Sequence, residues 1–272
     1  MAGADTAGAG WDCHAHVFGP YDLYPLAAKR SYTPPEATQG NYLQLLARLE
    51  LHHAVLVQPS AYADDYTLIL DALQHQPHWR GVLVSTDAAL PRMRDWYERG
   101  VRGLRFSHRS AGNFPGSALL TDLQRLAPHM AEAGLHAEVW TDCSGLRDIT
   151  ALLRELPVPV VFDHMAGFDH RTGLDDPGFL ALCDLLGGDR VWVKLTAYRN
   201  LRDAADPDAG APFQQRLCEL NSDRLVWGSD WPHLNVQPMP ATAALLAQFK
   251  HWCSDVTLAR RILVDNPQRL YR

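Results

Sequence analysis

The segment Trp11-Asp12-Cys13-His14-Ala15-His16 sets two imidazoles two residues apart in a short, mostly apolar run. In a β-strand such positions share a face. Two rings at one strand end can bind a metal, or they can polarise a substrate oxygen. His164 and Asp230 close two later apolar runs and can converge on the same point. A carboxylate beside an indole, as Asp230 is beside Trp231, is expected to be partly desolvated, with its pKa raised towards useful basicity. The combination reads as Asp230 taking a proton from water while His14, His16 and His164 activate a carbonyl and stabilise the oxyanion. The same four residues, His14, His16, His164 and Asp230, also form a plausible ligand set for Zn²⁺, with Mn²⁺ as the other candidate ion.

A second group concerns binding. Arg105 and Arg109 lie at and just beyond the end of one strand-like run, and Arg199 follows another. Guanidinium forks match carboxylates, so three at one mouth imply a small anionic substrate. Tyr32 and Ser60 can add hydroxyl hydrogen bonds, and His233 and Asn235 are candidates for the rim. Glu138 reads either as a substitute metal ligand or as a partner for Arg105.

These residues must be positioned by an alternating scaffold. Apolar, β-branched runs at 11–16, 53–60, 81–86, 101–107, 135–140, 158–164, 191–196 and 225–230 alternate with helical patterns at 41–51, 66–74, 91–99, 118–133, 146–156, 179–186, 213–220, 241–252 and 258–264. Strand-helix alternation points to an α/β fold, either a (β/α)8 barrel or an open doubly wound sheet. Polar residues gather at the carboxyl ends of seven different runs, where barrel enzymes build their sites. No Gly-x-Gly-x-x-Gly follows the first run, so the barrel is the expectation. The chain has 272 residues, close to the roughly 250 that such a barrel needs. The expected organisation is a flexible N-terminal segment over residues 1–10 and one barrel over 11–272.

Composition excludes several classes. A net charge of -6 speaks against nucleic acid or an anionic membrane as partner. No apolar run approaches the roughly 18–20 residues of a spanning helix, and residues 1–10 lack a signal-peptide pattern, so a cytoplasmic protein is expected. Five widely spaced cysteines without a Cys-x-x-Cys indicate buried thiols, not disulfides or a cysteine zinc site.

The motifs WDCHAHVFGP, LVQPSAY, VRGLRF, VFDHM, VKLTAYR, WGSDWPH and DNPQRLY, in this order, resemble the amidohydrolase superfamily. Within it they are most similar to the branch of 2-pyrone-4,6-dicarboxylate lactonases and sugar-lactone hydrolases. The resemblance implies a single-domain TIM barrel that opens a carboxylated lactone, with an Asp activating water without a divalent ion. It also implies substrate contacts at Tyr32 and Ser60. Metal-dependent members usually carry either a bridging Lys or Glu on the middle strands or a further His on the strand after the one that matches His164, and the seventh run has no histidine. Here the seventh run offers Lys194 and Thr196, so no metal is expected. Residues 108–116 (HRSAGNFPG) depart from the branch's pattern around Arg109, which leaves the identity of the lactone open. Also open are hydrolysis against lactone isomerisation, a zinc-dependent hydrolase or decarboxylase of the same superfamily, a non-catalytic binding barrel, and the oligomeric state.

Overall fold

The computed structural model describes residues 10–84, 87–108 and 120–272. Eight parallel strands pair in chain order: β1 (Gly10–Ala15), β2 (Leu51–Val57), β3 (Arg80–Val84), β4 (Val101–Ser107), β5 (His136–Trp140), β6 (Val160–Phe162), β7 (Val191–Leu195) and β8 (Leu225–Trp227). They form a (β/α)8 barrel. Closure comes from the segment after β8: Asp230 N donates to His14 O at 2.7 Å and His16 N donates to Trp231 O at 2.8 Å.

The helices between and after the strands are α1 (Gln39–Leu49), α2 (Thr67–His75), α3 (Met93–Glu98), α4 (Leu120–Ala133), α5 (Cys143–Glu155), α6 (Pro177–Leu186), α7 (Ala211–Asn221), α8 (Thr242–Trp252), α9 (Val256–Arg260) and α10 (Asn266–Leu270). Side-chain caps set several of their starts. Thr38 and Asn41 form a reciprocal capping box that begins α1 at Gln39, ahead of the sequence expectation, and Asp142, Asp176 and Asp255 cap α5, α6 and α9. The helix expected at 258–264 in fact continues through a π-helical turn (Arg261–Asp265) into α10. Pro267 does not stop it; it stands directly after the π-helical turn, at the start of α10. No helix among the described residues is long and apolar enough to cross a membrane.

Strand alternation separates two environments. Leu56, Leu104, Phe106, Val139, Phe162 and Val193 belong to the large apolar cluster shared with the helices. Trp11, Cys13, Val55, Val57, Val82, Val161, Trp192 and Val226 form a second cluster inside the barrel, sealed by Tyr271 at its amino-terminal end. Above that apolar plug the inward positions turn polar. Arg105 of β4 pairs in register with Glu138 of β5, and Lys194 of β7 is fully buried.

β1 departs from simple alternation. Asp12 pairs with Ala54 and Ala15 with Leu56, so three steps on β1 oppose two on β2. The extra residue is a β-bulge, which re-aims side chains locally. As a result Cys13 packs in the apolar plug while its neighbour His14 reaches Lys194 in the polar layer. Asp12 faces the other way. Its carboxylate accepts from Ser229 N (2.8 Å), Ser229 Oγ (2.5 Å) and Tyr42 Oη (2.9 Å), clamping the segment after β8 onto β1.

Gly228 is required at this seam. A Cβ there would lie 2.5 Å from His14 Cβ and 2.9 Å from His14 N, and backbone atoms cannot step aside. Gly228→Ala is therefore expected to cost about 1–3 kcal/mol, the usual range for overpacking. Urea denaturation of the variant checks this, and unchanged stability would show that the seam has slack.

Candidate active site

Four groups from three strand ends meet at the carboxyl end of the barrel: His14 and His16 from β1, His164 after β6 and Asp230 after β8. His14 Nε2 lies 3.3 Å from His16 Nε2, and the two nitrogens lie 3.7 and 3.4 Å from Asp230 Oδ1. The His164 ring centroid is 4.8 Å from that of His14. His16 is oriented from behind by its Nδ1, 2.7 Å from Val57 O. His16, His164 and Asp230 line a cavity of about 290 Å³, whereas His14 sits fully buried one step beneath them.

His164 is placed by unusual backbone. After β6 the chain makes a left-handed turn, with φ of 50°, 53° and 50° at His164, Met165 and Ala166. Non-glycine residues rarely enter this region, and three in succession mark a site held by its surroundings. Asn200 Nδ2 donates to His164 O at 2.9 Å and fixes the turn. His164 Nδ1 is buried without a partner among the described residues.

Beneath the histidines lies a layer of charge. Lys194 Nζ donates to Glu138 Oε2 and lies 3.3 Å from Asp163 Oδ1 and 3.2 Å from His14 Nδ1. Of the two roles read for Glu138, that of partner to Arg105 is present as a long ion pair, but Glu138 is not the closest contact of Arg105. That contact is Asp163, with Nε at 3.0 Å and Nη2 at 2.9 Å from Oδ2, while Glu138 is 3.8 Å away. Burial and the neighbouring Asp163 charge push the Glu138 carboxyl up to about 7. Burial also works to raise Asp163, but Lys194, Arg105 and His14 outweigh it and hold that carboxyl well below the usual range.

Asp230 corrects the sequence expectation. Burial does work to raise its pKa, yet Arg199, His164, His16 and His14 overcome it and drive the value well below the ordinary carboxylate range. Its Oδ2 accepts from Arg199 Nε and, at 2.9 Å, from Tyr198 Oη. The indole of Trp231 is not the governing neighbour; it stacks on Tyr42 instead.

Tyr32, Ser60, Arg105, Arg199 and Asn235 line the cavity walls. His233 does not. It is 3% exposed, with its nitrogens 3.2 Å from Tyr198 Oη and 2.8 Å from Thr242 Oγ1, so it braces Tyr198 from outside the cavity. Arg109 lies outside the described residues. Sequence reading missed Asp163 and Tyr198 altogether, although an acid next to His164 in VFDHM and a lysine within the apolar VWVKLT both signalled buried charge needing partners.

The model of an amidohydrolase family matches residues 11–272. The chain belongs to the amidohydrolase family. Among the relatives of this amidohydrolase, a 4-sulfomuconolactone hydrolase from Rhizobium radiobacter is 34% identical over 275 residues, covering 96% of this chain and 89% of that one. A 2-pyrone-4,6-dicarboxylate hydrolase from Comamonas testosteroni is 32% identical, with coverage of 96% and 89%. A crystal structure assigned as a 2-pyrone-4,6-dicarboxylic acid hydrolase from Pseudomonas putida superposes with a TM-score of 0.82 at 32% identity, covering 97% of each chain.

Burial lowers the His164 pKa to about 4, more than the adjacent Asp230 and Asp163 can offset. The native ring thus binds its proton less readily than the unfolded chain, and stability falls as pH drops from about 6.5 towards about 4. Denaturation midpoints across that window should fall less steeply in His164→Gln than in the parent. An identical slope in both proteins would mean that His164 titrates as it does in water.

Proposed function

We propose that this amidohydrolase opens a lactone bearing an acidic group, with Asp230 activating water and no metal taking part. The observation that carries the reading is Asp230, held ionised at the floor of a small cavity whose walls carry Arg105 and Arg199. A volume of about 290 Å³ stands at the small end of ligand pockets, which span roughly 300–1,000 Å³. The two named relatives act on a sulfomuconolactone and a pyrone dicarboxylate, both of which carry acidic groups.

In this reading the acidic group meets the guanidiniums and the lactone carbonyl turns towards His164 and His16. Tyr32 and Ser60 complete the wall. Asp230 takes a proton from water as its oxygen attacks the carbonyl carbon. Collapse of the tetrahedral intermediate breaks the ring C–O bond, and the leaving oxygen recovers the proton from Asp230. His14, beneath the cavity, holds His16 and Asp230 in place. A carboxylate with a depressed pKa is a weak base, and Arg199 is the largest favourable influence on it. A substrate anion that draws Arg199 towards itself relieves that influence and makes Asp230 more basic when substrate is present.

The spacing of His14 Nε2, His16 Nε2 and Asp230 Oδ1, 3.3 to 3.7 Å apart, suits a divalent ion, and His16 has a carbonyl partner in Val57 O, but the contacts of His14 and Asp230 speak against one. Ligand histidines ordinarily donate their second nitrogen to a carboxylate or carbonyl. His14 Nδ1 has the Lys194 ammonium at 3.2 Å beside the Asp163 carboxylate at 3.1 Å, and Arg199 claims the outer oxygen of Asp230. These two cations at the donor set support the metal-free reading.

Asp230→Asn keeps the shape and removes the base, so kcat should fall by about 10²–10⁴ on an acidic lactone while substrate still binds. Because the Asp230 pKa is depressed, the free-enzyme rate should stay on its plateau down to the bottom of the carboxylate range. Chelator should leave the parent's rate unchanged. Near-normal turnover by Asp230→Asn, or loss of activity on zinc removal, would overturn the mechanism. Arg105→Met should chiefly raise KM, because an interaction already made with the bound ground state is lost. Steady-state kinetics on a panel of neutral and acidic lactones separates this from an effect on kcat.

A further inference from the structure

His14 Nδ1 has two close neighbours that make opposite demands on it. Asp163 Oδ1, at 3.1 Å, is an acceptor and asks for an N–H there. Lys194 Nζ, at 3.2 Å, carries only donors and asks for a lone pair. Direction decides between them. Lys194 Nζ meets hydrogen-bond geometry at Nδ1, whereas Asp163 Oδ1 is buried with no hydrogen-bond partner among the described residues, so the in-plane direction at Nδ1 does not reach it.

The far side of the ring gives the same answer independently. Val57 O can only accept, so the 2.7 Å contact to His16 Nδ1 puts a proton on that nitrogen. On its other side His16 turns Nε2 to His14 Nε2 at 3.3 Å, with Asp230 Oδ1 3.7 Å from the same His14 atom. A lone pair on His14 Nε2 would face the Asp230 carboxylate, whereas an N–H there turns its positive end towards it.

We infer that Lys194 is a positioning residue that fixes His14 in the Nε2–H tautomer, so that His14 donates towards His16 and Asp230 and offers no lone pair to a cation. The inference rests on the metal-free reading of the site and gives it a cause in this chain. Lys194 sits on β7, fully buried, and holds its place through Glu138 Oε2 on the opposite wall. Without the lysine nothing donates to His14 Nδ1, and a small rotation of the ring or of the Asp163 carboxylate, 3.1 Å away, lets an N–H there donate to it. Nε2 then becomes a lone pair beside His16 Nε2 and Asp230 Oδ1, the two-histidine, one-carboxylate arrangement that binds divalent ions.

The test is the ring ¹⁵N spectrum of the whole protein without substrate, with His14 assigned by comparison with His14→Gln. The parent should show the His14 proton on Nε2, and one equivalent of zinc should leave the His14 and His16 resonances unmoved. The charge-balanced double variant Lys194→Met, Glu138→Gln should move the proton to Nδ1 and shift both rings when zinc is added. A parent with the proton on Nδ1, a parent whose two rings respond to one equivalent of zinc, or a folded double variant with the tautomer unchanged overturns the inference. If the double variant does not fold, the parent spectrum decides alone. Inactivity of the parent on the lactone panel would count against the proposed reaction, and the tautomer measurement stands apart from it.

Discussion

The interior of this barrel is organised by the cost of burying charge. Lys194, Arg105, Glu138 and Asp163 lie together above the apolar plug, two basic groups against two acidic ones, with Glu138, Asp163 and Lys194 fully inaccessible. An isolated ion in such surroundings costs several kcal/mol, and removing one member of a buried pair typically costs about 3–5 kcal/mol. Each of these side chains therefore fixes the others. The network spans β4, β5, β7 and the turn after β6, so the staves of the barrel and the histidines above them share one set of constraints. Asp230 and Arg199 extend the same logic upward, where the cavity meets solvent.

Much of the scaffold was legible because a barrel repeats one unit. The eight strands fall where apolar runs were read, and β4 matches its expected span residue for residue. The ends were less legible. The sixth and eighth runs were read through His164 and Asp230, but the strands stop at Phe162 and Trp227, short of those two residues, which take left-handed backbone that side-chain type alone does not reveal. The convergence of His14, His16, His164 and Asp230 followed from strand-end positions. Their charge states did not. A neighbour in sequence, Trp231, suggested a raised Asp230 pKa, whereas the ions that govern it arrive from other parts of the chain, Arg199 above all.

The two arginines show a related limit. Sequence placed them at the mouth, and both line the cavity. It did not show that each already has a carboxylate partner, Asp163 for Arg105 and Asp230 for Arg199. Under the proposed function, binding an acidic ligand is an exchange of partners rather than the filling of an empty positive site, and selectivity depends on how well the ligand replaces what it displaces. The β-bulge in β1 was equally hidden, since an extra residue is visible only against the register of its neighbour.

The left-handed turn after β6 also bears on how this protein can change over evolutionary time. Each non-glycine residue in that conformation carries roughly 1–2 kcal/mol of intrinsic penalty. Met165 is fully buried, and burying such a side chain contributes about 1.5–3 kcal/mol, enough to offset its own strain. Ala166 is equally buried but has only a methyl group to set against the same penalty. A mutational path that favoured thermal robustness alone would drift to glycine at 166, while Met165 would be retained for its packing. Position 166 is therefore where an alanine kept in many descendants would mark selection for a stiff turn holding His164, over and above selection for a stable fold.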